Sequence, residues 1–166
     1  GYDKTTVRGI ARAAGVDPAL VYHYFGSKEQ VLVAVLDLPL NPAEAVAGLL
    51  RHGLDGIGER LVRFLLSVWD YPAGRTRFLA LIRSALINDA VADLMREFFT
   101  REVLSKISKA VQAPDPELRA SLAFSHVMGM AVARYVLRVE PLASASADEI
   151  ARLVGPTIER YLLPAP

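Results

Sequence analysis

Thr5-Thr6-Val7-Arg8-Gly9-Ile10-Ala11-Arg12-Ala13-Ala14-Gly15-Val16-Asp17-Pro18-Ala19-Leu20-Val21-Tyr22-His23-Tyr24-Phe25-Gly26-Ser27-Lys28-Glu29 reads as two very short helices, a tight glycine turn between them, and a third helix close behind. Thr5 suits the capping position of the first helix, whose Val7, Ile10, Ala11 and Ala14 share one face. Gly15 falls where that helix must stop and accepts the left-handed backbone of a helix end. Val16 is expected to plug the turn into the core. Asp17 caps the second helix, and Pro18 takes its first position, where a missing N–H costs nothing. Val21 and Phe25, four apart, are expected inside. Ala19, Leu20, Tyr22, His23 and Tyr24 are then left largely outside. Ser27-Lys28-Glu29-Gln30 has the form of a capping box and puts Lys28 in the first turn of the third helix.

This is the construction of a helix-turn-helix DNA reader. Small residues at the tip, Pro18 and Ala19, let the backbone approach a groove. Tyr22, His23 and Tyr24 supply hydroxyl and ring donors further along. A helical hairpin whose aromatics pack into a core has the same spacing, so geometry alone leaves both readings open.

The segment closely resembles the DNA-binding domain of the TetR family of bacterial one-component regulators. The resemblance rests on Thr5-Thr6-Val7-Arg8, Ile10-Ala11, Ala14-Gly15-Val16, Val21-Tyr22, Tyr24-Phe25 and Gly26-Ser27-Lys28-Glu29, and covers about the first 37 residues. The run Arg134-Tyr135-Val136-Leu137-Arg138-Val139-Glu140-Pro141-Leu142-Ala143 resembles the C-terminal domain of one actinobacterial-type subgroup. Family members carry a further helix, often behind a basic arm, ahead of the residues matching Gly1-Tyr2-Asp3. The resemblance therefore leads to the expectation that the chain lacks its true N-terminus. It also implies that Thr6, Arg8, Pro18, Ala19, Leu20, Tyr22, His23, Tyr24 and Lys28 lie at the duplex. Lys28, Tyr22 and Tyr24 are expected on phosphates, and Arg8 and His23 on base edges.

Composition sets looser bounds. The 166 residues suit one or two small domains with a sizeable core. Net charge is +1 for the whole chain, and again +1 for the first 30 residues, so no broad basic field announces nucleic acid. Cysteine is absent, which excludes a disulfide framework and thiolate zinc. His23, His52 and His126 lack metal-ligand spacing, and no phosphate loop or nucleophile elbow is present. No catalytic residue, metal site or cofactor is expected. The mostly apolar run Leu122–Leu137 reads as too short for a membrane span. A cytoplasmic protein without membrane association is the expectation. An all-helical enzyme with a buried site, or a helical protein-interaction module, remains as an alternative class.

Beyond Pro39 and Pro42 the chain has helical periodicity and little β character, so the predicted fold is all-α. A helix-turn-helix part over 1–40, its boundary near residues 38–42, precedes a helical bundle over 41–166, with the helix from Lys28 to about Asp37 as connector. Apolar stripes run through Ile57, Leu61, Phe64, Leu65 and Val68, through Phe78, Leu81, Ile82, Ala85 and Leu86, and through Val91, Leu94, Met95, Phe98, Leu104, Ile107 and Val111. A long helix covers about 116–138. The last, capped by a Ser146–Glu149 box, covers about 147–163 and is expected to kink at Pro156. These two helices are expected to build a homodimer through Ala123, Val127, Gly129, Ala131, Ala133, Ile150, Leu153, Val154, Ile158, Tyr161 and Leu162.

The resemblance further implies a small-molecule effector cavity among the middle helices. Its expected walls are Phe64, Val68, Trp69, Phe78, Phe98, Phe99 and Met130, with Arg83, Asn88 and His126 as polar anchors. The function read from the sequence is a dimeric repressor that puts the Pro18–Tyr24 helices into successive major grooves about 34–36 Å apart. A small hydrophobic effector would release it from a palindromic operator.

Overall fold

The computed structural model describes residues 6–38 and 40–163. They form ten α-helices and no strand among the described residues. α1 (Val7–Ala14), α2 (Pro18–Phe25) and α3 (Lys28–Val35) come first, followed by α4 (Pro42–Leu50), α5 (Ile57–Trp69) and α6 (Pro72–Ile87). α7 (Asp89–Phe98) runs through a π-helical turn (Phe99–Leu104) into α8 (Ser105–Ala110). α9 (Pro116–Ala131) likewise runs into a π-helical turn (Val132–Leu137), and α10 (Ala147–Leu162) closes the chain.

Local chemistry sets the ends of the first helices. The Gly9 N–H donates to the Thr6 hydroxyl at 3.0 Å, so Thr6 is the cap of α1. Thr5, expected there, lies outside the described residues, as does Pro39. Gly15 ends α1 at φ 68°, a backbone that a Cβ would strain. The Ala19 N–H donates to Asp17 Oδ1 at 2.8 Å, with Pro18 at the first helical position. The Gln30 N–H donates to the Ser27 hydroxyl at 3.2 Å, but the expected box is only half made. The Gln30 side chain instead donates to Glu44 Oε1 at 3.0 Å and ties α3 to α4. At α10 the box is complete, since the Glu149 N–H donates to Ser146 and the Ser146 N–H to Glu149.

Three apolar clusters hold the chain. Val7, Ala11, Val21 and Val31 join α1, α2 and α3. Leu32 and Leu36 meet Phe98, fully buried on α7. The largest cluster fills the bundle of α4–α10. The π-helical turn after Phe98 changes which residues of that stripe face inward. Phe98, Val103, Ile107 and Val111 are buried, whereas Leu104, expected in the stripe, is only half-buried. A wider turn adds one residue, so burial resumes five positions after Phe98 rather than three or four. Leu86, expected in the α6 stripe, is 80% exposed, and Ile87 after it is 87% exposed, so the last residues of α6 lie in solvent.

Two devices fix the bundle. α5 crosses α10 at Gly58 and Gly155, where a Cβ on Gly58 would lie 1.9 Å from the Gly155 carbonyl oxygen. Only glycine permits that approach. The Gly56 N–H donates to Glu159 at 3.0 Å beside the crossing, and α10 continues unbroken through Pro156. The second device is a charge network around a buried arginine, with its carboxylate partner half-buried. Arg134, 8% exposed, directs Nε and Nη2 at the Asp70 carboxylate and Nη1 at the carbonyls of Leu142 and Ala145. The Tyr135 hydroxyl donates to Asp70 Oδ1 at 2.9 Å, and its ring meets those of Trp69 and Phe78 edge-on. Each partner satisfies the others' hydrogen-bonding groups, which is what makes burying the charges tolerable.

Pro116–Leu137, 22 residues, is by length and composition long and apolar enough to cross a membrane, contrary to the expectation from Leu122–Leu137 alone. Here its Ala120, Ala123, Val127 and Ala131 are packed inside the bundle.

Gly155→Ala forces α5 and α10 apart and is expected to cost about 3 kcal/mol, read from urea unfolding. Burial, with the Asp70 hydrogen bond second, pushes the Tyr135 hydroxyl from 10.0 up to about 12. Ionisation therefore favours the unfolded chain first. Tyr135's share of the stability is whole below pH 10 and lost as pH rises to about 12. Tyr135→Phe should flatten that alkaline fall in a pH series of thermal melts.

Candidate functional site

The first three helices present a continuous outward face. Val21 alone is buried on α2; Leu20, Tyr22 and Tyr24 are 48%, 51% and 74% exposed, and Ala19 and His23 are exposed beside them. Pro18 is half-buried at the tip. Thr6 and Arg8 lie exposed at the start of α1, and half-buried Lys28 opens α3 directly after the Ser27 cap. The small α1–α3 core thus carries all nine residues expected at DNA on the ends and outer sides of three short helices. The His23 and Tyr24 rings meet edge to face at 5.3 Å.

Two neighbours depart from expectation. Val16 is 42% and Phe25 39% exposed rather than inside. Phe25 shares the Val21 face but is the last residue of α2, before Gly26, and so lies at the edge of this small core.

A second feature lies among α4–α9. A cavity of about 160 Å³ opens between them, walled by Phe64, Val68, Trp69, Phe78 and Phe99, together with Val46, Leu49, Leu61, Leu65, Phe124 and Met128. Five of the expected wall residues are therefore present. Phe98 is absent from the wall because it turns into the Leu32–Leu36 cluster, and Met130 because it is buried elsewhere in the bundle. None of the three expected polar anchors reaches it. Arg83 and Asn88 are exposed, and Asn88 instead caps α7 by accepting from the Ala90 and Val91 N–H groups. His126 lies against Tyr161, ring centres 6.1 Å apart. The charged residue at the cavity is Arg77, which shares a face of α6 with Leu81 one turn on, whereas Arg83 points away. Arg77 pairs with Asp37 just past α3, Nε to Oδ2 3.3 Å. Four wall residues, Leu38, Leu81, Met95 and Phe99, also pack on the Leu32–Leu36–Phe98 cluster that holds α3.

The residues expected at a symmetric interface divide sharply. Ala123, Val127, Ala131, Ile150, Ile158 and Leu162 are buried inside the chain itself, at 3% exposure or less. Their stripe covers the chain's own core, because α10 packs on α5 and α9 with its most apolar face. Ala133, Val154 and Tyr161 are half-buried, and Gly129 and Leu153 are exposed. Sequence reasoning missed the apolar residues that do face outward, Leu118, Leu122 and Val136, at 57%, 40% and 45% exposure.

Residues 1–35 match the family of bacterial regulatory proteins, tetR family, and residues 55–162 match the tetracyclin repressor-like C-terminal domain. The HTH-type transcriptional regulator BetI of Rhizobium meliloti is 64% identical over 31 residues, 19% of this chain and 15% of that protein. The HTH-type transcriptional repressor Rv3405c of Mycobacterium tuberculosis is 38% identical over 77 residues, 43% of this chain and 40% of that protein. The chain thus spans less than half the length of these curated relatives. Among solved structures, the TetR-family regulator SCO0857 of Streptomyces coelicolor A3 superposes with a TM-score of 0.60 at 39% identity, over 98% of this chain and 85% of that one. With one family domain matched over most of its length and a second over its first helices, the chain belongs to the TetR family.

Proposed function

We propose that the chain is a DNA-binding transcriptional regulator that works as a homodimer in the cytoplasm and is released from a palindromic operator by a small hydrophobic effector. The observation that carries this reading is the outer side of α2. A helix that keeps Leu20, Tyr22, His23 and Tyr24 exposed behind a Pro18–Ala19 tip is poor core material and well shaped for a major groove. Residues 1–40 act as the reader and 41–166 as the effector-binding and dimerising part. Thr6, Tyr22, Tyr24 and Lys28 hold phosphates, with Lys28 at a helix N-terminus where backbone N–H groups add to its charge. Arg8 and His23 reach base edges.

The cavity is the proposed effector site. A ligand that fills it presses on Leu38, Leu81, Met95 and Phe99, and these same residues seat α3. Occupancy thereby biases the angle of α3 and the spacing of the two readers, the differential contact that a population shift requires. The outward apolar residues of α9 and α10, Leu118, Leu122 and Leu153 among them, form the proposed dimer surface.

Gel shifts over a salt series with fragments selected by the protein test the DNA reading. Lys28→Ala is expected to weaken all sequences alike and to lower the salt slope by about one. His23→Ala should instead relax preference at particular positions by about 1–3 kcal/mol. An enzyme or interaction module predicts no salt-dependent binding at all.

Leu153→Glu, at a position 74% exposed, should leave the fold intact and yield monomers in sedimentation at low micromolar concentration. Ile158→Glu does not test the same point, since Ile158 is fully buried and its loss unfolds the chain.

A further inference from the structure

We propose that Arg77 and Asp37 form a ligand-exchangeable latch, and that the effector is an amphiphile with an apolar body and one terminal carboxylate. The carboxylate takes Arg77 from Asp37 and so frees the end of α3. This inference rests on the cavity being the effector site.

The cavity wall sets the ligand's class. Among the described residues lining it, Arg77 is the one that carries charge, and the rest of the wall is aliphatic, aromatic or thioether. A body of that kind buries an apolar ligand without demanding hydrogen bonds from it. The single cation lines a wall that also holds Leu38 and Leu81, and its side chain is 45% exposed, so it is open to both cavity and solvent. A carboxylate binds guanidinium through two N–H groups, and the side-on pair includes Nε, the nitrogen that Asp37 now faces. A ligand carboxylate bound side-on would take the Nε that Asp37 now uses, and the two anions would then compete for it.

The pair is weak enough to be exchanged. Its side chains are 45% and 72% exposed, and such ion pairs contribute little. Its position makes the exchange matter. Asp37 follows Leu36, which anchors α3 against Phe98. The amides of Leu36, Asp37 and Leu38 bond back to Leu32, Ala34 and Val33 and form the turn that ends α3. Arg77 on α6 is the ion pair that ties this turn to the cavity rim. A neutral ligand would fill the cavity and leave the tie in place, whereas an anionic one would undo it.

Linkage gives the test, because whatever competes with the ligand must weaken it. Trp69, the chain's one tryptophan, lines the cavity and reports occupancy by its emission without DNA. Octanoate, 1-octanol and octylammonium share a body and differ in head group, and each is titrated into the full chain at neutral pH. Octanoate is expected to bind about tenfold more tightly than octanol, with octylammonium weakest. Arg77→Gln should bring octanoate down to the level of octanol. Asp37 has φ 48°, a backbone that Asn also accepts, so Asp37→Asn removes the charge and keeps the turn. That variant should tighten octanoate by about two- to fivefold and leave octanol unchanged.

Hydrogen exchange supplies a second readout, in which octanoate, and not octanol, speeds exchange at the amides of Leu36–Leu38. Equal affinity for octanoate and octanol, or an Asp37→Asn variant that binds octanoate no better, overturns the latch and leaves the cavity reading standing. Absence of a saturable Trp69 response to any of the three overturns the cavity reading with it.

Discussion

The close crossing of α5 over α10 is the constraint on which the rest of the bundle depends. Gly58 and Gly155 let two backbones approach to a distance no side chain permits, and the Glu159 hydrogen bond to the Gly56 N–H holds the register beside them. Once that side of α5 is committed to α10, its Leu61, Phe64, Leu65 and Val68 turn toward α4 and α6. The cavity that these four line lies on the α5 face turned away from the close crossing. Its far end is closed by Trp69 and Phe78, which the Asp70–Arg134–Tyr135 network braces from behind.

The reader at the other end of the chain is held by very little. Four small or medium aliphatic side chains make the core of α1–α3, and its apolar tie to the bundle runs through Leu32, Leu36 and Phe98, beside the polar contacts Gln30–Glu44 and Arg77–Asp37. A joint of that size has few contacts to reorganise, which is what the proposed link between cavity and α2 requires. Leu38, Leu81, Met95 and Phe99 stand on both sides of the same wall. The proposed coupling therefore rests on shared residues rather than on a chain of relays.

The legibility of these parts in the sequence follows from their range. The caps at Asp17 and Ser146, the stop at Gly15 and the outward face of α2 depend on residues within four positions of one another, and all were readable. The half-made box at Ser27 was not, because a residue fourteen positions on, Glu44, took the Gln30 amide. The cavity aromatics Phe64, Trp69, Phe78 and Phe99 were readable as apolar helical positions, but Phe98 looked identical to them. Arg83 reads as a polar anchor from the sequence, whereas Arg77 lines the cavity; both are arginines on α6, and periodicity does not say which neighbour each will meet. Gly58 and Gly155, isolated glycines in helical patterns, are the local signal for a close crossing, but neither says which helix it meets.

By itself the sequence determined the all-α class, the short helices and turns of the reader, the positions of most helix ends, and the residue types able to meet DNA. Those properties are set by backbone preferences and by contacts within a turn or two, which travel with the local sequence wherever it is placed. The tertiary structure decided which apolar stripe covers the chain's own core and which is left outward, where the cavity opens, and which arginine guards it. Those outcomes depend on how helices far apart in sequence divide one another's surfaces. Ile158 and Leu153 show the difference: five residues apart on the same helix, one is sealed against α5 and the other stands in solvent.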